Sequence, residues 1–305
     1  MRDTFVKTIY ELAKQDERVV LIVADIGIYL HRNFRKDFPD RFINVGISEA
    51  NMVGVAAGLA MSGKIPFVYT IPPFITARAL DQVRVDLCYQ NLNVKLIGVG
   101  AGYVSSTWGP THHSIEDIAV MRSLPNMRVL SPSDQFEAEK MITGSLDNIV
   151  GPAYIRLAVS GTKIPREDFT PWIELLKDGS SIAIIATGRV VYNALKAAEI
   201  VDRTGITCKV INVNIIKPLY RKRLVDLIAG TKAVFTVEEH NIIGGLGSAV
   251  AEIIAEEGCG VRLTRIGLND EFCTVYGSVE YLDDQYGLSS EKIAETVKKN
   301  VLEKG

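Results

Sequence analysis

Cysteine is sparse in this chain: four thiols in 305 residues, at positions 88, 208, 259 and 273, with no C-x-x-C pair among them. Such spacing builds neither a disulfide framework nor a zinc site, and it points to a reducing, cytoplasmic setting. An excess of one charge is lacking too. Thirty-four basic and thirty-six acidic side chains leave a net charge of −2, without the positive footprint that nucleic acid or an anionic membrane demands. No uninterrupted apolar run approaches membrane-spanning length. The opening "MRDTFVKTIYELAKQDE" carries acids and reads as an amphipathic helix, so a secretory leader is not expected. Low-complexity tracts and short-period repeats are missing. What is present is globular. Hydrophobic residues at 47% and charged ones at 23% argue against disorder, and the length suffices for two cores.

β-Branched apolar runs alternate with helical patterns from end to end. "RVVLIVADI", "FINVG", "IPFVYTI", "NVKLIGVG", "MRVLSP" and "AYIRLAV" read as strands, almost continuously hydrophobic, as parallel strands buried on both faces are. Helical segments are expected between them at 32–38, 49–62, 75–90, 115–122 and 135–146. Residues 161–179 break this rhythm with glycine, proline and mixed charge. A linker is therefore placed at 166–179, between a domain over 1–165 and a second over 180–305. The second repeats the pattern with "SIAIIATG", a helix over 190–203, "ITCKVINVN", "KAVFTVEE", a helix after the glycines at 244–247, "VRLTRIGL" and a helix from Ser290. The expected architecture is α/β: two doubly wound, mostly parallel sheets.

In open parallel sheets, ligands bind beyond the carboxyl ends of the strands. Asp25, Ser48-Glu49, Pro72-Pro73-Phe74 and the loop "GAGYVSSTWGPTHH" stand there in the first domain. Glu49 opens a helix that is apolar on every side and so expected to be buried, with Gly54 and Gly58 admitting close backbone approach. Ser48 suits an N-cap, and a first-turn acid gains about 0.3–1 kcal/mol from the helix dipole. Burial opposes the dipole by favouring the protonated form, which makes Glu49 a candidate proton donor as well as a cap. His112 and His113 precede a capping-box pattern, Ser114…Asp117. They read as solvated loop residues, as a proton-transferring or substrate-binding pair, or, for His113 with Asp117, as part of a metal site that lacks a third ligand. Phe74 reads as core or as a ring aimed by the two prolines before it. The glycines of "IIGGLGSAV" match the dinucleotide fingerprint incompletely, and tight-turn packing accounts for them better.

Taken in order, "RFINVGISEANMVGVAAGLA", "FITARALDQVR", "GPTHHSIEDIAVMRSLPNMRVLSPSD", "PAYIRL" and "TVEEHNIIGGLGSAVAE" resemble the C-terminal part of transketolases, and most closely the smaller subunit of split, two-chain forms. The resemblance covers nearly the whole chain, a pyrimidine-binding domain followed by the transketolase C-terminal domain. It implies thiamine diphosphate as cofactor. By this match Glu49 meets N1′ of the aminopyrimidine, where a shared proton prepares the 4′-nitrogen to deprotonate thiazolium C2. Phe74 resembles the ring that stacks on the pyrimidine, Asp25 the aspartate near the thiazolium, and Ile26 the support of the bent cofactor. His112 resembles the histidine that contacts donor and acceptor hydroxyls, with His113 its neighbour. The activity implied is transfer of a two-carbon ketol unit from a ketose to an aldose.

The Gly-Asp-Gly that holds Mg²⁺ and the diphosphate in such enzymes does not occur in the sequence. No metal ligand is therefore expected of this chain. The resemblance implies an N-terminal transketolase subunit as partner, holding the metal and diphosphate, in a heterotetramer with two chains of each kind. Two positions depart from the family pattern. Trp108 stands where single-chain transketolases carry an acid that reads the sugar, and Val159 where they carry a phosphate-gripping arginine. Arg156 and the partner chain are the candidates to replace that arginine. These changes leave open a sugar outside the pentose-phosphate set. Rival readings are the β subunit of a 2-oxo acid dehydrogenase E1 component, a 1-deoxyxylulose-5-phosphate synthase-like enzyme, and a regulatory subunit without catalysis.

Overall fold

A computed structural model describes residues 1–166 and 168–302. The helices are α1 (Arg2–Gln15), α2 (Arg32–Asp37), α3 (Glu49–Met61), α4 (Pro72–Thr76), α5 (Leu80–Gln82), α6 (Asp117–Ser123), α7 (Gln135–Gly144), α8 (Val191–Asp202), α9 (Arg221–Ile228), α10 (Leu246–Glu256), α11 (Val279–Gln285) and α12 (Ser290–Leu302). The strands are β1 (Val19–Val23), β2 (Phe42–Asn44), β3 (Ile65–Thr70), β4 (Lys95–Val99), β5 (Arg128–Leu130), β6 (Ala153–Leu157), β7 (Ile173–Lys177), β8 (Ile182–Ala186), β9 (Cys208–Val213), β10 (Ile215–Lys217), β11 (Ala233–Asn241) and β12 (Arg262–Leu268).

They form two sheets, ordered β10-β5-β6-β4-β3-β1-β2 and β12-β11-β8-β9-β7. Every pair is parallel except the two edges, β10 on β5 and β7 on β9. All residues of β1, β3, β4 and β6 are buried, Lys95 and Arg156 included, as expected of strands covered on both faces. The α/β architecture with two mostly parallel sheets is as the sequence pattern implied.

Three local features differ from the sequence reading. The segment read as linker contains β7, which pairs antiparallel with β9 although Pro171 and a left-handed Trp172 (φ 78°) precede it. Strand β10 follows β9 after one residue, Asn214, yet crosses to the edge of the first sheet, so the two halves share hydrogen-bonded backbone. The helix expected over 75–90 is instead α4, a turn, α5 and a π-helical stretch, Val83–Tyr89. Apolar packing also runs through both halves: Val129 and Tyr154 belong to one core cluster with Ile185 and Ile211.

Candidate active site

The carboxyl-end rim of the first sheet collects most of the residues singled out by sequence. Glu49, the first residue of α3, is 2% exposed. Ser48 is the N-cap residue, but its side chain makes no capping bond. Its Oε2 accepts from Arg78 Nη1 at 2.8 Å, while Oε1 is buried without a hydrogen-bond partner among the described residues. An orphaned buried acceptor costs about 1–3 kcal/mol, which marks the place where a ligand donor would be gained. α3 is not buried all round. Met52, Val53, Ala56 and Ala57 pack on the core, but Asn51, Gly54, Gly58 and Met61 are exposed. A helix lying on one sheet face needs cover from that side only, so the apolar run is dry on one side and open on the other.

From Glu49 a row of contacts leads across the rim. The Arg78 guanidinium lies over the Phe74 ring, 4.1 Å from its centroid. Phe74 is half-buried in α4, which the two prolines begin at its first turn. Its ring meets His112 edge-on at 5.4 Å, and His112 meets Trp108 edge-on at 4.6 Å. Thr111 Oγ1 lies 2.9 Å from His112 Nδ1, which orients the imidazole. Glu49, Arg78, Phe74, His112 and Trp108 thus form one connected set.

Asp25 stands two residues past the end of β1 on the same rim, exposed and in the left-handed region (φ 58°) that aspartate tolerates. Asn44 holds it at both ends, accepting from the Asp25 backbone N–H at 3.0 Å and donating to Oδ1 at 3.2 Å. Ile26 beside it is half-buried against the first-domain core.

Two candidates are placed elsewhere than on the open rim. His113 is turned inward, 4% exposed, and neither ring nitrogen has a hydrogen-bond partner of proper geometry among the described residues. Burial lowers its pKa, which the Ser105 backbone offsets in part. Arg156 is buried and held inward: Nε donates to both oxygens of Asp117 (3.1 and 2.8 Å), and Nη2 to the carbonyls of Ser114 (3.3 Å) and Glu239 (2.8 Å). The geometry therefore gives no support to phosphate recognition by Arg156. Asp117 also accepts from Tyr154 Oη at 2.6 Å, so it is committed to this cluster and not to a metal shared with His113. The capping box at Ser114 does not form. Ser114 pairs as a bridge with Gly102, and Glu116 precedes α6. At the glycines before α10, the chain's own Glu238 accepts from the N–H groups of Leu246 (2.6 Å) and Gly247 (2.8 Å). A Cβ on Gly245 would collide with that carboxylate, which explains the glycine by packing.

Arg78 is the rim residue that sequence reasoning missed. It stands four residues after Phe74, the spacing at which a cation reaches an aromatic face, and that signal was available in "FITAR".

The chain matches the transketolase pyrimidine binding domain over residues 1–162 and the transketolase C-terminal domain over residues 173–293. It is 41% identical to an apulose-4-phosphate transketolase subunit of Actinobacillus succinogenes, over 86% of this chain and 85% of that one. It is 40% identical to a 6-deoxy-6-sulfo-D-fructose transketolase subunit of a Clostridium species, over 96% and 92%. A solved structure described as a split gene transketolase, inactive beta4 tetramer, superposes with a TM-score of 0.86 at 38% identity, over 98% of this chain and 96% of that one.

Proposed function

The chain belongs to the transketolase family, and from that membership we propose that it is one half of a two-chain, thiamine-diphosphate-dependent transketolase. The reaction is transfer of a two-carbon ketol unit from a ketose to an aldose. The observation that carries this reading is Glu49: a buried carboxyl with one oxygen held by Arg78 and the other left without a partner. A ring nitrogen able to share a proton completes that set, and Phe74 beside it offers an aromatic face. The residues fit the pyrimidine end of the cofactor. Glu49 and Phe74 would hold that end, with Asp25 and Ile26 nearer the thiazolium. Bound there, thiamine diphosphate supplies the electron sink that carbon–carbon cleavage beside a carbonyl requires.

The chain's own groups have separable tasks. Glu49 holds a proton at Oε1 while Arg78 fixes Oε2. His112, oriented by Thr111, presents its free ring nitrogen to sugar hydroxyls. Trp108, 64% exposed, walls the same opening. The diphosphate and Mg²⁺ are assigned to a partner chain carrying the Gly-Asp-Gly motif that this chain lacks, in a heterotetramer located in the cytoplasm. Among the described residues, no helix is long and apolar enough to cross a membrane.

A substrate outside the pentose-phosphate set is favoured by Trp108 and Val159, which replace an acid and an arginine, and by the sugars named for the two relatives above. The test is reconstitution. The purified chain with thiamine diphosphate and Mg²⁺ is expected to be inactive, and mixing it with a Gly-Asp-Gly partner chain is expected to start ketol transfer. His112→Ala should then slow transfer by roughly 10²-fold or more, the scale of a positioned proton-transfer group. Turnover by the chain alone, or lipoyl-dependent 2-oxo acid decarboxylation by the pair, would overturn the assignment.

A further inference from the structure

Residues 102–114 form a loop between β4 and α6, closed at its stem by the antiparallel Gly102–Ser114 bridge, whose two backbone bonds are 3.0 and 2.7 Å. The tip carries Trp108 and His112. The shoulders of this loop are built into the second half of the chain. Tyr103 and Ile115 belong to the apolar cluster formed by β8, β11 and α8, not to the core of the sheet from which the loop springs. The Tyr103 N–H donates to Glu239 Oε1 at 3.0 Å, and its hydroxyl donates to Asp283 Oδ1 at 2.6 Å. The Asn241 N–H donates to the Ile115 carbonyl at 2.7 Å.

Arg189 ties the two acids together. Its Nε donates to Glu239 Oε2 at 2.7 Å, and its two terminal nitrogens donate to Asp283 at 2.8 and 2.6 Å. Gly102 is required here. Its φ is +72°, and any Cβ would run into the Glu239 carboxylate. Near the tip, a Cβ on Gly109 would come within 3.0 Å of the Tyr276 hydroxyl, so the second half backs the loop there as well.

We propose that the C-terminal domain serves as a clamp that sets the position of His112, with Tyr103, Glu239, Arg189 and Asp283 as positioning residues. Apolar packing alone is non-directional and lets a loop slide. A carboxylate whose two oxygens are bonded to an N–H and to a guanidinium fixes both distance and angle. That is the tolerance of roughly 0.5 Å which a substrate-contacting side chain needs. The clamp gives the C-terminal domain a task in the reaction, exercised through the loop. The inference rests on the reading of His112 as a substrate contact.

Two variants test it: Tyr103→Phe, which removes only the hydroxyl, and Glu239→Gln, which keeps the shape and removes the charge. In the isolated chain, amide hydrogen exchange of residues 103–113 is expected to speed up about tenfold or more while β11 and β8 keep their protection. In the reconstituted pair, ketol transfer should fall about tenfold in kcat/KM, while deuterium exchange at thiazolium C2, which depends on Glu49, stays within about twofold. Unchanged loop exchange in both variants overturns the clamp. So does transfer falling in step with C2 exchange, which is what a merely structural defect produces, or transfer that does not fall at all. If the wild-type pair transfers no ketol unit, the functional reading fails. The loop exchange then still decides whether the clamp exists.

Discussion

Glu49 and Glu239 are both 2% exposed and both stand at the carboxyl-end edge of a parallel sheet, yet their surroundings are opposite. Glu239 is complete: each oxygen has a donor, its carbonyl accepts from Arg156, and the cluster around it extends through Asp117, Tyr154, Asp283 and Tyr103. Glu49 is incomplete: one oxygen is held by a half-exposed arginine and the other has no partner among the described residues. Burial removes water from both, so the difference lies in how the polar groups are satisfied. A finished network holds a structure in place, while an unfinished one at an opening waits for a ligand. Incompleteness alone is not enough. His31 also has two ring nitrogens without a partner among the described residues, but it sits at 0% exposure, held edge-on to Phe5 and Tyr69, although it borders a cleft between α1 and α2.

Breaking the finished cluster should have the largest effect on stability. Arg189→Ala leaves Glu239 and Asp283 buried without their cation, and removing one partner of a buried pair costs about 3–5 kcal/mol. Urea titration of the isolated chain checks this; a loss below about 1 kcal/mol would mean that the cluster is wetter than its geometry implies.

His31 tests the second half of the comparison. Burial pushes its pKa down to about 4, below the 6.5 of the unfolded chain, so the unfolded state takes up the proton first. The stability this represents is present above pH 6.5 and is lost as pH falls towards 4, reaching about 3 kcal/mol. Glu238 works with the opposite sign: burial raises it to about 7, and its contribution is lost as pH rises from 4.5 to 7. The readout is therefore the difference between wild type and His31→Phe. The variant should be relatively more stable at pH 4.5 than at pH 7.5, and parallel stability curves would contradict a neutral buried imidazole.

Arg78→Ala should have the smallest effect on the fold. The pair with Glu49 involves a half-exposed guanidinium, and a solvent-accessible cation over a ring is worth about 0.5–1 kcal/mol. The midpoint of urea unfolding should move little, whereas affinity of the reconstituted pair for thiamine diphosphate should change, because both Glu49 and the Phe74 face are altered.

The sheet strands could be read from sequence because "VVLIV", "IPFVYT" and "AYIRL" are almost continuously hydrophobic, with Arg156 the one charge among them, a pattern that double-sided burial explains. The rim could be read for the same reason, since the residues after each strand end are fixed once the strands are. Short edge elements could not be read. β10 has three residues directly after a longer strand, and β7 lies among prolines and charges, so each depends on pairing with a distant segment. Arg156 was misleading because strand alternation does not say whether an arginine turns out to the rim or in to Asp117. The same limit hid Tyr103. Its role is a contact 136 residues away in the chain, and no local pattern encodes that.

The central claim is that Glu49 activates a cofactor whose other end a second chain holds. Deuterium exchange at thiazolium C2 tests it most directly, measured by NMR on the reconstituted pair with wild-type chain and with Glu49→Gln. Fast exchange is expected in the wild-type pair, slowed by roughly 10²-fold or more in the variant, with the fold unchanged by urea titration. Exchange at the wild-type rate in Glu49→Gln would contradict it.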